Sequence, residues 1–317
     1  MSRSSANYIA YDLRPVKQTE RRIMMDLLRM ARAAGINVSD YTYIGMGGTR
    51  FYDFHMLHRY LGIRSMISIE QDAEIVERCQ YNKPFGFISV ANATASEFID
   101  THTFDHPVLA WLDYDWGLSK VITSDILTLA TKVRLGSVLF VTIRADLPRD
   151  LVNKKADEKI QHFKDQLGDL ALDCKSRDVG QNGYSRYVER VLTAAFNAAF
   201  IAKPNAVFRP LFRVLYKDTT WMATVGGCFC DHQTAEKLAG LAVAEFPFLF
   251  RADGGPYELV DLNFTPRERA LLDHFVTCDL ATDDERAVVR KLRFDDKTIA
   301  AYKSTVRFLP KYVEAFT

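Results

Sequence analysis

Three groups of residues in this sequence have the types and spacing to do chemistry. The first is Gly45-Met46-Gly47-Gly48, a glycine-rich turn behind the short apolar run 41–45. Glycine has no side chain to hold a ligand away, so such a turn lets backbone approach it closely. The second is Glu70, followed by Gln71 and Asp72, at the end of the next apolar run, 66–70. An acid there accepts hydrogen bonds from the two hydroxyls of a ribose. Together they point to a nucleoside-containing cofactor across the carboxyl edge of a parallel sheet. The third group is Asp113-Tyr114-Asp115-Trp116, which closes the run 108–113. Acids at that end of a buried strand stand where open α/β sheets bind ligands. The competing reading has Asp113 capping a turn and Asp115 in solvent.

The elements that could position these residues run in order along the chain. Residues 8–16 read as extended, with Arg14 held so by Pro15. Over 18–34 the residues Ile23, Met24, Leu27, Leu28 and Ala31 recur at helical steps, and Gly35 is the stop. Strands are predicted at 41–45, 66–70, 87–91, 108–113 and 137–143, with helices at 51–60, 75–82 and 121–133. Strands alternating with helices over about 100 residues argue for a doubly wound α/β sheet. The stretch 147–204 holds no clear strand; it reads as helices at 157–172 and 190–202 around the flexible loop 178–183. Two strands at 207–216 and 220–228 form a β-hairpin, an antiparallel edge on the parallel sheet. The tail reads as mostly helical, with capping boxes at Thr265–Glu268 and Thr282–Glu285. The domain expectation is an N-terminal segment and helix (1–38), an α/β domain (39–230) carrying the insertion 147–204, and a helical C-terminal region (231–317).

Of the 317 residues, 48% are hydrophobic and 26% charged, as in a soluble globular protein. The net charge of +1 gives no global argument for nucleic-acid or membrane partners. No secretory signal or run long enough to span a bilayer is seen, and five irregularly spaced cysteines suggest no disulfide framework. A cytoplasmic setting is expected. Cys228, Cys230 and His232 offer zinc ligands, but without a second cysteine pair they read better as a strand end. Arg144, Arg149, Lys154 and Lys155 flank the substrate side and read first as ordinary exposed charge.

A parallel sheet ending in an antiparallel hairpin resembles the class I S-adenosylmethionine-dependent methyltransferase fold, a Rossmann-like sheet. The resemblance covers roughly residues 40–230. It implies cofactor contacts from Gly45, Met46, Gly47, Gly48, Glu70, Gln71, Asn92 and Asp113, with Asn92 facing the adenine. It also implies a reaction motif at Asp113, Asp115 and Trp116. Many members carry an acid where this chain has Tyr43. Amine methyltransferases of this class have prolines that Asp-Tyr-Asp-Trp lacks. Metal-dependent O-methyltransferases have Asp-x-Asp there and a further acid after strand five, which implies a magnesium site at Asp113 and Asp146. Their following Asn is Leu147 here. The competing dinucleotide fingerprint needs a third glycine where Arg50 stands. Arg14-Pro15, Lys17, Glu20-Arg21 and the Tyr43–Gly48 turn also resemble uncharacterised bacterial proteins called O-methyltransferase-like.

The resemblance implies methyl transfer to an oxygen or nitrogen of a small-molecule, nucleotide or macromolecular acceptor. The alternative is a catalytically lapsed nucleoside-binding module in a protein complex, with a partner or second copy docked through the C-terminal helices. The insertion 147–204 is expected to be a lid, with Tyr184, Arg186 and Tyr187 reaching the acceptor.

Overall fold

The structure, a computed structural model, describes residues 14–171, 173–180, 183–199, 205–217, 219–262, 264–277, 287, 289, 291–292 and 294–310. The expected extended segment at 8–13, Gln181 and Asn182 of the loop, positions 200–202, and the capping box at 282–285 lie outside these. The chain begins with α1 (Pro15–Ala31), then β1 (Thr42–Gly45), α2 (Tyr52–Leu61), β2 (Ser65–Glu70), α3 (Ala73–Asn82) and β3 (Ile88–Asn92). It continues with α4 (Ala95–Thr101), β4 (Val108–Gly117), α5 (Lys120–Lys132), β5 (Val138–Arg144), α6 (Ala156–Leu167) and α7 (Tyr184–Ala198). The hairpin β6 (Val207–Lys217) and β7 (Trp221–Cys230) comes next, then α8 (His232–Glu245), β8 (Tyr257–Leu259), α9 (Pro266–Thr277) and α10 (Asp296–Thr305).

The strands form one sheet in the order β3-β2-β1-β4-β5-β7-β6-β8. From β3 through β5 all pairs are parallel, while β7 runs antiparallel between β5 and β6. The chain winds outward from β1 to β3, then crosses back to β4 on the other side of β1. That reversal opens a crevice at the carboxyl ends of β1 and β4. Side chains alternate across the sheet. Ala110 and Leu112 join a core with α4, α5, α6 and α7, and Leu109 and Trp111 join a second core with α1, α2, α3 and α8. The sheet is therefore doubly wound and Rossmann-like, with the antiparallel hairpin the sequence predicts.

Several elements differ from expectation. Helix α1 starts earlier, with Pro15 in its first turn, where a missing N–H costs nothing. It gives way at Arg32 to a 3-10 turn that Gly35 closes at φ 92°. Helix α4 comes in addition to the predicted helices, and Thr94 and Glu97 form a reciprocal capping box at its start. β4 runs on to Gly117, with an irregular register against β5 after Asp113, so the acidic motif lies on the strand. The strand β8 in the tail extends the sheet beyond β6. Helix α7 begins at Tyr184, and its buried face packs with α6 as a layer over the sheet. Among the described residues, no helix is long and apolar enough to cross a membrane.

Candidate functional site

A cavity of about 280 Å³ opens at the carboxyl edge between β1, β2 and β4. Its wall includes Met46 and Gly48 of the turn, Glu70 and Gln71 after β2, Thr94 and Ser96 at α4, and Asp113, Asp115 and Trp116 on β4. Its size is close to the ~300 Å³ at which small-ligand pockets begin.

The turn is built from beneath. Gly48 has φ 51°, the left-handed region that glycine enters freely. Phe51 shares that region at φ 49°, and its buried ring packs edge-on to Phe54 at 5.3 Å. Tyr43, two residues before the first glycine, is buried against Phe54 at 4.8 Å and fills the space over Gly45. The Gly47 N–H donates to Ser68 Oγ at 3.1 Å. Gly45 and Gly47 therefore shape the turn without joining the cavity wall, which Met46 and Gly48 do join.

Glu70 is 9% exposed and accepts the Asp72 N–H through Oε1 at 2.9 Å. Burial pushes its carboxyl pKa up, against the Asp72 N–H. Asn92, expected by the adenine, is exposed at the end of β3 and is not among the residues lining the cavity. Its amide instead donates to the carbonyls of Glu70 at 3.0 Å and Gln71 at 3.3 Å, which ties the tips of β2 and β3 together. Ala93 and Thr94 line the wall beside it. Sequence reasoning misses Asp125 on α5. It accepts Ser96 Oγ–H at 2.7 Å and Tyr114 O–H at 2.6 Å, and burial raises its pKa. An acid within an otherwise apolar helix face is its signal.

Asp113 is 22% exposed in its side chain, and its Oδ2 lies 3.0 Å from Lys17 Nζ. Lys17 also meets Glu20 Oε2 at 3.2 Å and donates to Tyr216 OH at 3.0 Å. Beside it Arg21 pairs with Asp53. Burial opposes the charge on Lys17, but Asp113 and Glu20 outweigh it, and its pKa stands well above the ordinary value. A hydrogen-bond chain supports the cluster: Trp111 Nε1–H donates to Thr142 at 2.9 Å, Thr142 lies 2.8 Å from Thr224, and Thr224 donates to Glu20. Two cations, Lys17 and Arg21, thus face three carboxylates, Glu20, Asp53 and Asp113. Burial pushes the Glu20 carboxyl pKa up, against Lys17 and Thr224, and of these five groups Asp113 is the one in the cavity wall.

Asp115 and Trp116 are exposed at the mouth, with Trp116 at 42% and edge-on to the Tyr114 ring. Asp146 is not in the cavity wall; its Oδ2 accepts the Trp221 N–H at 3.0 Å and ties β5 to the hairpin. The expected magnesium site does not fit these residues. Asp113 is paired with Lys17 and Asp146 with backbone. Among the described residues, no group of three or more His, Cys, Asp or Glu is placed to hold a metal ion. Cys228 and Cys230 are buried in β7 while His232 is exposed on α8. Tyr184 and Tyr187 turn into the core, and Arg186 pairs with Glu258 at 2.8 Å, so none of the three enters the cavity wall.

The residues fit a nucleoside that carries a positive charge. Glu70 and Asp113 bring two carboxylates to one cavity wall, and the turn brings Met46 and Gly48. Sheet, hairpin and cavity together define a class I S-adenosylmethionine-dependent methyltransferase. Residues 9–317 match the family described as "Putative O-methyltransferase", and the chain belongs to that family. No curated protein matches it. Among solved structures it is similar to a "putative O-methyltransferase" from Klebsiella pneumoniae, at 14% identity, 71% of this chain, 84% of that one and a TM-score of 0.41. It is also similar to an O-methyltransferase from Bacillus cereus in complex with SAH (13%, 70% and 85%, TM-score 0.37). A third is Trm1 from Pyrococcus horikoshii with S-adenosyl-L-methionine (13%, 70% and 57%, TM-score 0.44). All three TM-scores are below 0.5, so the weight falls on family membership and on the geometry of the cavity.

Proposed function

We propose that this chain transfers the methyl group of S-adenosylmethionine to a hydroxyl of a cytoplasmic acceptor, with an amine as the second choice. The family description favours oxygen. The observation that carries the reading is a single cavity lined by both Glu70, at the end of β2, and Asp113, on β4, beside Met46 and Gly48 of the glycine turn. A cofactor that is both nucleoside and cation suits both ends.

When bound, S-adenosylmethionine supplies an electrophilic methyl on a sulfonium. Met46, Gly48, Glu70, Gln71 and Thr94 would hold its nucleoside, and Asp113 would offer a carboxylate to its cationic part. Asp115 and Trp116 at the mouth would meet the acceptor: the ring offers a stacking face, and the carboxylate is an exposed base for the acceptor's proton. No metal takes part in this scheme, since the Asp113 and Asp146 carboxylates already have protein partners.

Calorimetric titration of the folded protein with S-adenosylmethionine and S-adenosylhomocysteine tests the reading. Stoichiometric binding, weakened in Asp113→Asn, is expected. A folded wild type that binds neither would refute it. A labelled methyl donor then finds the acceptor among fractionated extracts, and Trp116→Ala should raise the acceptor's KM while leaving cofactor affinity alone.

A further inference from the structure

Six successive residues at the start of α1, Val16 to Arg21, are buried, although five of them are polar or charged. A helix that merely covers a sheet does not need its first turns charged and dry, because each buried charge carries a desolvation cost. The contacts these residues make are therefore informative. Lys17 extends beneath the cavity floor and contacts Asp113 of β4, Tyr216 of β6 and Glu20 of its own helix. Its ammonium also lies 5.0 Å from the Trp111 ring and 5.6 Å from the Tyr216 ring. Three oxygens, Asp113 Oδ2, Tyr216 OH and Glu20 Oε2, thus lie within 3.2 Å of one ammonium.

We propose that Lys17 is a positioning residue of the cofactor site, acting on the ligand through Asp113. This rests on the reading of the cavity as a site for S-adenosylmethionine. Lys17 is 3% exposed, and of the cluster Lys17, Glu20, Arg21, Asp53, Tyr216 and Asp113 only Asp113 is in the cavity wall. Buried and outside the wall, Lys17 meets a ligand in the cavity through Asp113. It holds Asp113 Oδ2 at 3.0 Å, and Asp113 is the member of the cluster that meets the cavity. The chain Trp111–Thr142–Thr224–Glu20 holds the other side of Lys17, so the orientation of Asp113 is set by four strands and α1 together. The N-terminal helix is thereby part of the site.

The test is a double-mutant cycle on affinity for S-adenosylhomocysteine, read by calorimetry, with thermal melts confirming that each variant is folded. Lys17→Met deletes the ammonium and keeps the aliphatic length, but it leaves Glu20 buried without its cation. Lys17→Met/Glu20→Gln, which removes both charges, is therefore measured beside it. Asp113→Asn should weaken binding about tenfold or more, as losing a hydrogen bond from a charged group does. The Lys17 variants should lose a comparable factor. Combined with Asp113→Asn, they should add less than about twofold, because residues acting through one group are not additive. A folded Lys17→Met/Glu20→Gln that binds within about twofold of wild type overturns the proposal, as do losses that multiply in the cycle. If the wild type itself fails to bind, the cofactor reading falls, and this one with it.

Discussion

Glu70 carries two opposed demands. In the proposed role its carboxylate is ionised to accept ribose hydroxyls, yet burial raises its pKa in the folded protein. Above that folded pKa the buried carboxylate costs stability, and the cost is relieved as pH falls through it and the group takes a proton. Glu70→Gln should therefore melt above the wild type at neutral pH without ligand, with a gap that narrows as the pH is lowered. Cofactor affinity should fall by about 1–3 kcal/mol in the same variant. Melting curves at several pH values and one titration check both halves. A variant less stable than the wild type at neutral pH, with unchanged affinity, would mean that Glu70 serves the fold and not the ligand.

At the scale of elements, the glycine turn and the start of α4 make sharper claims than the strands do. A Cβ on Gly47 would lie 2.8 Å from Phe54, 2.9 Å from Phe51 and 3.0 Å from Ser68 Oγ. The crowding is with the packing under the turn, so Gly47→Ala should cost about 1–3 kcal/mol of stability in a denaturant melt, as overpacking does. Thr94→Ala removes the cap of α4 and should cost about 1 kcal/mol. The strands are legible in the sequence because β4 and β5 are nearly continuous apolar runs, and the hairpin because two such runs flank a short turn. Helix α4 escapes a sequence reading although its Thr94-x-x-Glu97 box stands there, since seven residues show too little periodicity. The Lys17 cluster is less accessible still. Arg14-Pro15, Lys17 and Glu20-Arg21 stand out in the sequence as a likeness only, because burial of a charged helix start depends on partners about 100 and 200 residues away. The Asn92 side chain is illegible for a related reason: strand position places its backbone, but the carbonyls of Glu70 and Gln71 decide where its amide goes.

For the whole molecule, the question is which parts respond when the cavity fills. The long connection between β5 and β6 leaves from the ligand edge, which is where a lid would be expected. Its packing argues otherwise. Phe163 and Leu167 of α6 and Tyr184, Tyr187, Val188, Val191, Leu192 and Phe196 of α7 belong to the core shared with α5 and the sheet. Tyr187 O–H donates to the Ala171 carbonyl at 2.9 Å, and Glu189, fully buried, pairs with Arg213 of β6. No cavity-lining residue comes from the described part of 147–204. Segments that open locally have few buried apolar contacts, and these helices have many. Hydrogen exchange with and without S-adenosylhomocysteine should therefore leave 156–167 and 184–198 unchanged. Protection should rise instead at 46–51, 70–72, 93–97 and 113–117, the backbone around the cavity. If peptides spanning 175–188 gain protection comparable to that of the turn, the layer moves over the ligand after all, and its packing here is only one of two arrangements.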